Sequence, residues 1–343
     1  MPSMSAFSGG RIRRATHDGV RSGKWGTLVT GPAEALALVG PELAAAEQSL
    51  VSLVHTDVAA VPEIAGYLVA AGGKRLRPAL TALGARAVGY DEPITKLMCV
   101  GELLHLGSLL HDDVVDEADT RRGHPAAHTL YGNAVTVLTG DFCLARAVWL
   151  AAEEGGFSAV RALGETVTEM AEGEVLQLQH AGDLSSTVEQ YLDVVARKSA
   201  ALIAWCAAAA GWAAGDDEAA DALWQFGRGV GIAFQITDDV LDYSTTTGKT
   251  PGADLRERKV TLPLLIAMER IPDLRARLEV GPPSPELVQQ LMVEVRESGA
   301  LGAALDEARR RVDASLDALD ALPDNAGRQG LEALGRYLVE RAE

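Results

Sequence analysis

The sequence has few aromatic residues, few cysteines and no long uninterrupted hydrophobic run. Aromatic residues make up only 5% of the 343 residues, and the three cysteines lie far apart, without the spacing of a metal-ligating motif. These cysteines are typical of small core residues in a reducing compartment, so we expect a cytoplasmic protein. No run reaches the roughly 18–20 apolar residues that a spanning helix needs, so we expect no transmembrane segment.

The chain also lacks an excess of basic residues. It has 31 Lys and Arg against 48 Asp and Glu, which gives a formal net charge of −17. Such a charge argues against non-specific binding to nucleic acid, whose phosphates attract cations. An acidic protein of this kind can bind an anionic ligand only through local basic groups and bound metal.

Alanine and leucine dominate the 48% of the residues that are hydrophobic, and the alternation typical of strands is scarce. This composition predicts an all-α fold. Residues 1–31 are rich in Ser, Gly and Arg, and we expect them to form a flexible N-terminal extension. An organelle transit peptide is disfavoured because an amphipathic stripe is missing. No linker or repeat interrupts residues 32–343, which are therefore predicted to be one helical domain.

Two clusters of the form Asp-Asp-x-x-Asp each follow an apolar run with helical spacing. Their members are Asp112, Asp113 and Asp116 in the first triad, and Asp238, Asp239 and Asp242 in the second triad. A single cluster is equally well explained by a solvated helix end. Two clusters in apolar settings favour a carboxylate-lined cleft that binds divalent cations. Since Mg²⁺ is often shared with substrate phosphates, the predicted ligand is a phosphate or diphosphate.

Several basic groups could neutralise such a ligand. Residues 72–78 place three cations after two glycines at the start of a predicted helix, where an anion is favoured. Arg121 and Arg122 follow the first triad, and Lys198 lies within an apolar helix. His105 lies two helical turns before the first triad, on nearly the same face. Each feature also has an alternative interpretation. Residues 72–78 could form a surface turn, Arg121 and Arg122 could pair with nearby carboxylates, and His105 could be a core histidine.

Three motifs in order resemble those of the trans-isoprenyl diphosphate synthases. They are GGKRLRP at 72–78, HDDVVDEADTRRG at 111–123 and FQITDDVLD at 234–242. The resemblance covers roughly residues 33–343. It implies a single large helical bundle around a central active-site cavity, the isoprenoid synthase type of fold. It also implies condensation of isopentenyl diphosphate with an allylic prenyl diphosphate by Mg²⁺-dependent ionisation and 1′-4 head-to-tail elongation, ending in a long-chain all-trans polyprenyl diphosphate.

The resemblance assigns roles to residues at matching positions. The implied contacts of isopentenyl diphosphate are Lys74, Arg77, His105 and Arg122. The implied ligands of about three Mg²⁺ ions are Asp112, Asp116 and Asp238, supported by Asp113, Asp239 and Asp242. The implied allylic diphosphate site comprises Arg121, Lys198, Ser199, Gln235, Lys249 and Lys259, with Gln177 as a further polar cleft residue. The residues implied to carry catalysis are Asp112, Asp116, Asp238, Arg121, Lys198 and Lys249.

Product length depends, by the same resemblance, on the residues four and five positions before Asp112. These are Ser108 and Gly107, and Leu104 lies one turn deeper. Because small side chains on this stripe leave a tunnel open below the metals, we expect a product of about seven to ten isoprene units. A deeper plug such as Phe142 or Trp149 would contradict that expectation.

Three other functions remain as alternatives. A geranylgeranyl or farnesyl diphosphate synthase would make shorter products with the same motifs. A class I terpene cyclase would not need the cations that bind a second diphosphate. A non-catalytic subunit of a heteromeric synthase typically loses one acidic triad, whereas this chain has both. The resemblance also implies a homodimer.

Overall fold

The structure is a computed structural model that describes residues 29–70, 73, 75–121, 124–244, 251–281 and 283–342. Its helices are α1 (Pro32–Leu38), α2 (Gly40–Leu53), α3 (Ala60–Ala70), α4 (Leu76–Val88), α5 (Thr95–Val115), α6 (Ala127–Tyr131), α7 (Asn133–Glu154), α8 (Gly156–Gln179), α9 (Val188–Val195), α10 (Ala201–Ala214), α11 (Asp217–Leu241), α12 (Ala253–Arg256), α13 (Leu262–Arg270), α14 (Leu274–Glu279), α15 (Pro285–Glu297), α16 (Ala300–Leu316) and α17 (Ala326–Glu340). The prediction of an all-α fold is confirmed.

Two short irregularities interrupt the helical pattern near the predicted site. A π-helical turn, Ala196–Ala200, joins α9 to α10 without a break in the chain direction. Strands β1 (Thr120–Arg121) and β2 (His124–Pro125) pair antiparallel directly after the first triad. Neither was predicted from the sequence, because π-turns and two-residue strands have no periodic signal. A 3₁₀ turn, Asp317–Ala321, follows α16.

Helix α10 is the centre of the bundle. Residues 201–211 are buried on all sides, as expected for a helix that is apolar around its whole circumference. It packs against α4, α8 and α11, and its alanines allow these neighbours to approach closely. Trp205 is fully buried, and its indole N–H donates to the carbonyl of Ala159 at 3.0 Å. This core fixes the positions of α5 and α11, whose C-terminal ends carry the two acidic triads.

The first residues that the structure describes already pack on the last helix. Val29 is 8% exposed, and its N–H donates to the Gln329 side chain on α17 at 3.3 Å. Residues 1–28, which form most of the predicted extension, lie outside the described residues.

Two helical segments are long and apolar enough to cross a membrane by length and composition alone. In the segment Val188–Ala214, 72% of the most apolar window is buried inside the bundle, so this segment is a core helix. In α7 the corresponding share is 39%. The outward side of α7, which we call the α7 face, presents Val135, Leu138, Phe142 and Trp149, and Leu138 is 64% exposed. An apolar patch of this kind on a helix surface indicates an interaction site.

Candidate active site

The first triad lies at the C-terminal end of α5. Asp112 is in the last turn of the helix, and Asp116 is the residue that ends it. Asp112 is half-buried, whereas Asp116 is exposed. Since the two are four residues apart, their carboxylates point to the same side of the helix.

Asp113 differs from its two neighbours because it points into the protein. Its side chain is fully buried, and one carboxylate oxygen accepts from Nε and Nη2 of Arg121 at 2.7 Å and 2.6 Å. The other oxygen has no hydrogen-bond partner among the described residues. Asp113 therefore orients Arg121, which stands on β1 at the edge of the cleft.

The environment of Asp112 disfavours a charged carboxylate in the absence of metal. Burial raises the pKa of Asp112 to about 6, and the carboxylates of Glu174 and Asp116 act in the same direction. Lys198 and Arg121 oppose this shift without cancelling it. A bound cation would restore the charged form, because it supplies the missing opposite charge.

The second triad lies at the C-terminal end of α11, and its three carboxylates have different partners. Asp238 accepts from Nη2 of Arg341 at 2.6 Å, near the end of the described chain. Asp239 is 3% exposed and accepts from the hydroxyl of Tyr191 at 2.7 Å. Asp242 accepts from two backbone N–H groups at the start of α12, at 3.1 Å and 3.3 Å. Burial raises the pKa of Asp239.

Two large cavities bring the triads together. The first cavity has a volume of about 590 Å³, and its lining includes both Asp112 and Asp238. The second cavity has a volume of about 660 Å³, and Asp112, Asp116 and Asp239 contribute to its lining. The residues that line both are Asp112, Arg121, Lys198, Ser199 and Gln235. The two triads thus border one continuous cleft.

The π-helical turn places Lys198 and Ser199 between the two cavities. The Ser199 hydroxyl donates to the Gln235 side-chain oxygen at 2.9 Å, and the Gln235 amide donates to Asp239 at 2.7 Å. Lys198 forms an ion pair with Glu174 of α8. This chain of contacts connects the π-turn to the second triad, and π-turns within helices are frequent at functional sites.

The first cavity is also bordered by the basic residues at the start of α4. Arg77 and His105 line it, and the buried Nε atom of Arg77 has no hydrogen-bond partner among the described residues. Arg75, in contrast, is held by Glu47 and Glu102, each at 2.9 Å, and therefore has a structural role. The first cavity combines these polar groups with apolar residues of α2, α3 and α5.

Lys259 lies beside the second triad. Its ammonium is 3.9 Å from Asp239 and 3.6 Å from Asp254. Burial alone would lower the pKa of Lys259, but these two carboxylates raise it above its ordinary value.

Three predicted site residues, Lys74, Arg122 and Lys249, lie outside the described residues. Gln177 lines the second cavity.

A third cavity of about 200 Å³ extends below Asp112. All three predicted chain-length residues line it, together with side chains of α7 and α8. These lining residues include Leu104, Gly107, Ser108, Leu144, Val167 and Met170. Phe142 and Trp149, considered above as deeper plugs, are not in its lining. They lie beside Arg146, whose guanidinium carbon is 5.2 Å and 5.4 Å from the two ring centroids.

The small size of Gly107 also serves the packing of α5 on α7. A Cβ atom at this position would lie 2.9 Å from the carbonyl oxygen of Gly140, so the two helices touch through their glycines. Ser108 donates to the carbonyl of His105 at 2.9 Å, which leaves its small side chain at the cavity wall. Gly107 therefore has a packing role in addition to lining the cavity, and Ser108 is the residue at which a larger side chain can be introduced without displacing α7.

Sequence reasoning missed several residues at the site, among them Glu174, Tyr191, Asp254, Arg258 and Arg341. Asp254 is 8% exposed, and burial raises its pKa to about 7. The contacts of these residues join segments far apart in the chain, such as Tyr191 with Asp239. Spacing along one helix cannot reveal such pairs.

The carboxylates of the cleft fit a hard divalent cation. Asp112, Asp116 and Asp238 offer oxygen atoms, the ligand type that Mg²⁺ prefers. Among the described residues, no group of three His, Cys, Asp or Glu side chains converges on one point. Mg²⁺ needs only one or two protein carboxylates when phosphate oxygens and water complete its shell. The donor set is therefore suited to metal that arrives with a phosphorylated ligand.

Comparisons with known proteins agree with this geometry. The sequence profile of the polyprenyl synthetase family matches residues 58–294. The chain is 36% identical over 315 residues to octaprenyl diphosphate synthase of Haemophilus influenzae, covering 89% of this chain and 95% of the relative. It is also 36% identical over 318 residues to an all-trans-nonaprenyl-diphosphate synthase of Rhodobacter capsulatus, covering 90% and 97%.

A solved structure shares the fold. A polyprenyl synthase from Caulobacter crescentus, crystallised with calcium and isoprenyl diphosphate, matches with a TM-score of 0.85 and 38% sequence identity. The match covers 90% of this chain and 97% of that chain.

Proposed function

This chain belongs to the polyprenyl synthetase family, and on that premise we propose that it condenses isopentenyl diphosphate with an allylic prenyl diphosphate to form a long-chain all-trans polyprenyl diphosphate. It is therefore a prenyltransferase. One observation carries the proposal: two acidic triads and several cations border a single cleft that continues into an apolar cavity. The relatives that match nearly the whole chain are named for octaprenyl and nonaprenyl products.

Each diphosphate has a cavity with suitable cations. We assign isopentenyl diphosphate to the first cavity, which Arg77 and His105 line. By the motif resemblance we add Lys74 and Arg122, which lie outside the described residues, as further contacts. The allylic diphosphate belongs in the second cavity, whose cations include Arg121, Lys198 and Lys259. By the motif resemblance we add Lys249, which lies outside the described residues, to this site.

The chemistry begins when the allylic carbon–oxygen bond breaks and the bond electrons leave with the diphosphate. Arg121, Lys198 and Lys259 stabilise the charge that develops on the departing group. When bound by Asp112, Asp116 and Asp238, Mg²⁺ would neutralise further charge on that diphosphate. Apolar residues that line the first cavity, such as Leu106 and Leu109, would keep water from the allylic cation until the double bond of isopentenyl diphosphate attacks it.

Ser199 and Gln235 lie where the reacting carbons of the two substrates would meet, because both residues line both cavities. Their dipoles are fixed by the hydrogen bonds to each other and to Asp239. A proton is then lost to the released diphosphate, which restores a double bond in a chain one isoprene unit longer. No protein base is needed for this step.

The growing prenyl chain can extend into the third cavity, whose lining is largely apolar. Its upper wall is formed by Leu104, Gly107 and Ser108, none of them bulky, which supports a long product. This arrangement disfavours the shorter-chain alternatives. The two complete triads disfavour a non-catalytic subunit, and the separate cation-lined cavities for two diphosphates disfavour a terpene cyclase.

We also propose that the enzyme uses about three Mg²⁺ ions per site, forms a homodimer and works in the cytoplasm. The carboxylate set of the cleft supports the metal. The exposed apolar α7 face supports the dimer, because a monomer would leave Leu138 and Trp149 in water.

The decisive experiment incubates the purified chain with labelled isopentenyl diphosphate, Mg²⁺ and a series of allylic primers, and measures product mass. We expect linear polyprenyl diphosphates of about seven to ten units and no product when EDTA removes the metal. A cyclic hydrocarbon, a product that stops at farnesyl or geranylgeranyl length, or no product from the chain alone would each contradict the proposal.

A further inference from the structure

An arginine occupies a left-handed backbone position beside the second cavity. Helix α12 ends at Arg256, and two hydrogen bonds close the turn that follows it. The N–H of Arg258 donates to the carbonyl of Leu255 at 3.3 Å, and that of Lys259 donates to the carbonyl of Asp254 at 2.8 Å. This pair of bonds defines a Schellman motif, in which the left-handed residue is usually glycine.

Arg258 fills that left-handed position with a φ of 55°. A residue with a side chain is strained there by about 1–2 kcal/mol relative to glycine. Arg258 and the residue that follows it, Lys259, both line the second cavity. Strained residues of this kind cluster at functional sites.

The guanidinium of Arg258 lies beside a glycine of the α8–α9 connection, a segment that contributes His180 and Ala181 to the lining of the second cavity. A Cβ atom built on Gly182, in the α8–α9 connection, would be 3.7 Å from the Cζ atom of Arg258 and 3.8 Å from its Nη1 atom. The Nε atom of Arg258 is buried, and it has no hydrogen-bond partner among the described residues. A buried guanidinium donor without a partner is costly, so a ligand is expected to complete it.

Arg258 also differs from the other Lys and Arg residues of the second cavity. Arg121 is paired with Asp113, Lys198 with Glu174, and Lys259 with Asp239 and Asp254. Within the described ranges, Arg258 forms no ion pair with any carboxylate. Among the described Lys and Arg residues that line this cavity, it is thus the one without a carboxylate partner.

We propose that Arg258 is a diphosphate-binding residue, and that its guanidinium contacts an oxygen of the diphosphate in the second cavity. The inference rests on the proposed function, since it extends the allylic diphosphate site to a residue of the Schellman turn. The planar guanidinium can hold phosphate oxygens through two parallel N–H bonds, which lysine cannot do. The ligand is either the allylic diphosphate ester or the inorganic diphosphate that the reaction releases.

The test measures binding separately from catalysis. The dissociation constant of inorganic diphosphate with Mg²⁺ is measured by isothermal titration calorimetry for the full chain and for Arg258→Gln, Arg258→Lys and Arg258→Gly. The KM of the allylic primer is measured for the same proteins. We expect Arg258→Gln to weaken diphosphate binding by about tenfold or more, as for the loss of one charge-assisted hydrogen bond, and Arg258→Lys to weaken it less.

The variant Arg258→Gly distinguishes the loss of the Arg258 side chain from a change in the backbone conformation of the turn. Because glycine adopts a positive φ without strain, this variant should fold with an unchanged or higher melting temperature and still bind diphosphate as weakly as Arg258→Gln. The control for net charge is Arg161→Gln on α8, which removes a cation that is 68% exposed and should leave both constants unchanged.

The outcomes separate the two ligand sources and the two proposals. A rise in KM for the primer together with weaker binding of inorganic diphosphate supports a contact that both ligands share. A rise in only one of these constants supports a contact with that ligand alone. Wild-type affinity and wild-type KM in both Arg258→Gln and Arg258→Gly would overturn the assignment of Arg258. Failure of the wild-type chain to make product would contradict the proposed function, and the titrations would still decide the role of Arg258.

Discussion

At the scale of single residues, Asp112 is the carboxylate common to all three cavities. We predict that Asp112→Asn, which keeps the shape and removes the charge, lowers kcat by at least about a hundredfold. The helical circular dichroism signal should be unchanged, since burial already disfavours the charged form. Asp313→Asn on the exposed side of α16 is the matched control and should have wild-type turnover. Near-normal turnover in Asp112→Asn would contradict the metal cleft.

The raised pKa of Asp112 links metal binding to pH. The pKa of Asp112 is about 6 in the folded protein and 3.8 at its ordinary value, so between these pH values the folded protein binds more protons than the unfolded chain. The metal-free protein therefore loses stability as the pH rises through that interval. Bound Mg²⁺ should remove the destabilisation. We predict that Mg²⁺ raises the melting temperature more at about pH 7.5 than at about pH 5, as measured by differential scanning fluorimetry. An equal rise at both pH values would be evidence against this linkage.

The roles of individual residues were only partly predictable. The spacing in each triad correctly placed Asp112 and Asp116 on one side of a helix end, because a helix of known period fixes that relation. The same spacing could not show that Asp113 is turned inward to Arg121, since that contact depends on the hairpin after the helix. Gly107 was interpreted as tunnel space, and it lines the third cavity, but the sequence could not show its close contact with Gly140, which belongs to helix packing.

At the scale of elements, the position of the π-turn depends on a glycine of α8. A Cβ atom at Gly173 would lie 2.6 Å from the backbone nitrogen of Lys198. We predict that Gly173→Ala pushes α8 away from the turn, destabilises the protein by about 1–3 kcal/mol and raises the KM of the allylic primer. Thermal unfolding and steady-state kinetics measure both effects.

Gly164 is the matched control on the same helix, because nothing lies within 4 Å of a Cβ atom built there. Gly164→Ala should stabilise the protein by up to about 1 kcal/mol, since alanine is the better helix former, and leave KM unchanged. If Gly173→Ala were as harmless as Gly164→Ala, the π-turn would not depend on close packing with α8.

The wall that α5 presents to the third cavity should control product length. We predict that Ser108→Phe blocks the cavity one turn below Asp112 and shortens the main product, as read by reverse-phase chromatography of the dephosphorylated chains. Ser108→Ala keeps the side chain small and should leave the product unchanged. The same chain length in both variants would place the floor of the tunnel elsewhere.

The helices themselves were largely predictable, and their irregularities were not. Periodic apolar residues in the sequence predict helices over residues 134–152, 158–180, 187–214 and 218–242, and these boundaries are close to those observed for α7, α8, the segment from α9 to α10, and α11. The segment predicted as one helix from 187 to 214 contains the π-turn, which a local repeat of apolar residues cannot reveal because the extra residue leaves the pattern nearly intact. That turn carries Lys198, so the missed irregularity lies at the centre of the site.

At the scale of the whole molecule, the α7 face is the surface most suited to pairing with a second copy. We predict that Leu138→Glu, which places a charge at a side chain that is 64% exposed, converts the proposed homodimer to a monomer in size-exclusion chromatography with light scattering. Val293→Glu on α15 changes a residue that is 47% exposed outside this face and should leave the dimer intact. A wild-type chain that already elutes as a monomer would contradict the homodimer.

The side of α7 opposite the α7 face packs against α5, the helix that carries the first triad. Its Gly140 touches α5 at Gly107, and the His111 Nε2 atom is 3.1 Å from the carbonyl of Val137 and 3.3 Å from the carboxylate of Asp141. Helix α7 therefore connects the α7 face to His111, the residue next to Asp112. If two copies meet there, specific activity becomes a function of enzyme concentration: dilution would separate the copies, loosen the support behind the acidic helix and lower the turnover of every chain, without any substrate or inhibitor taking part.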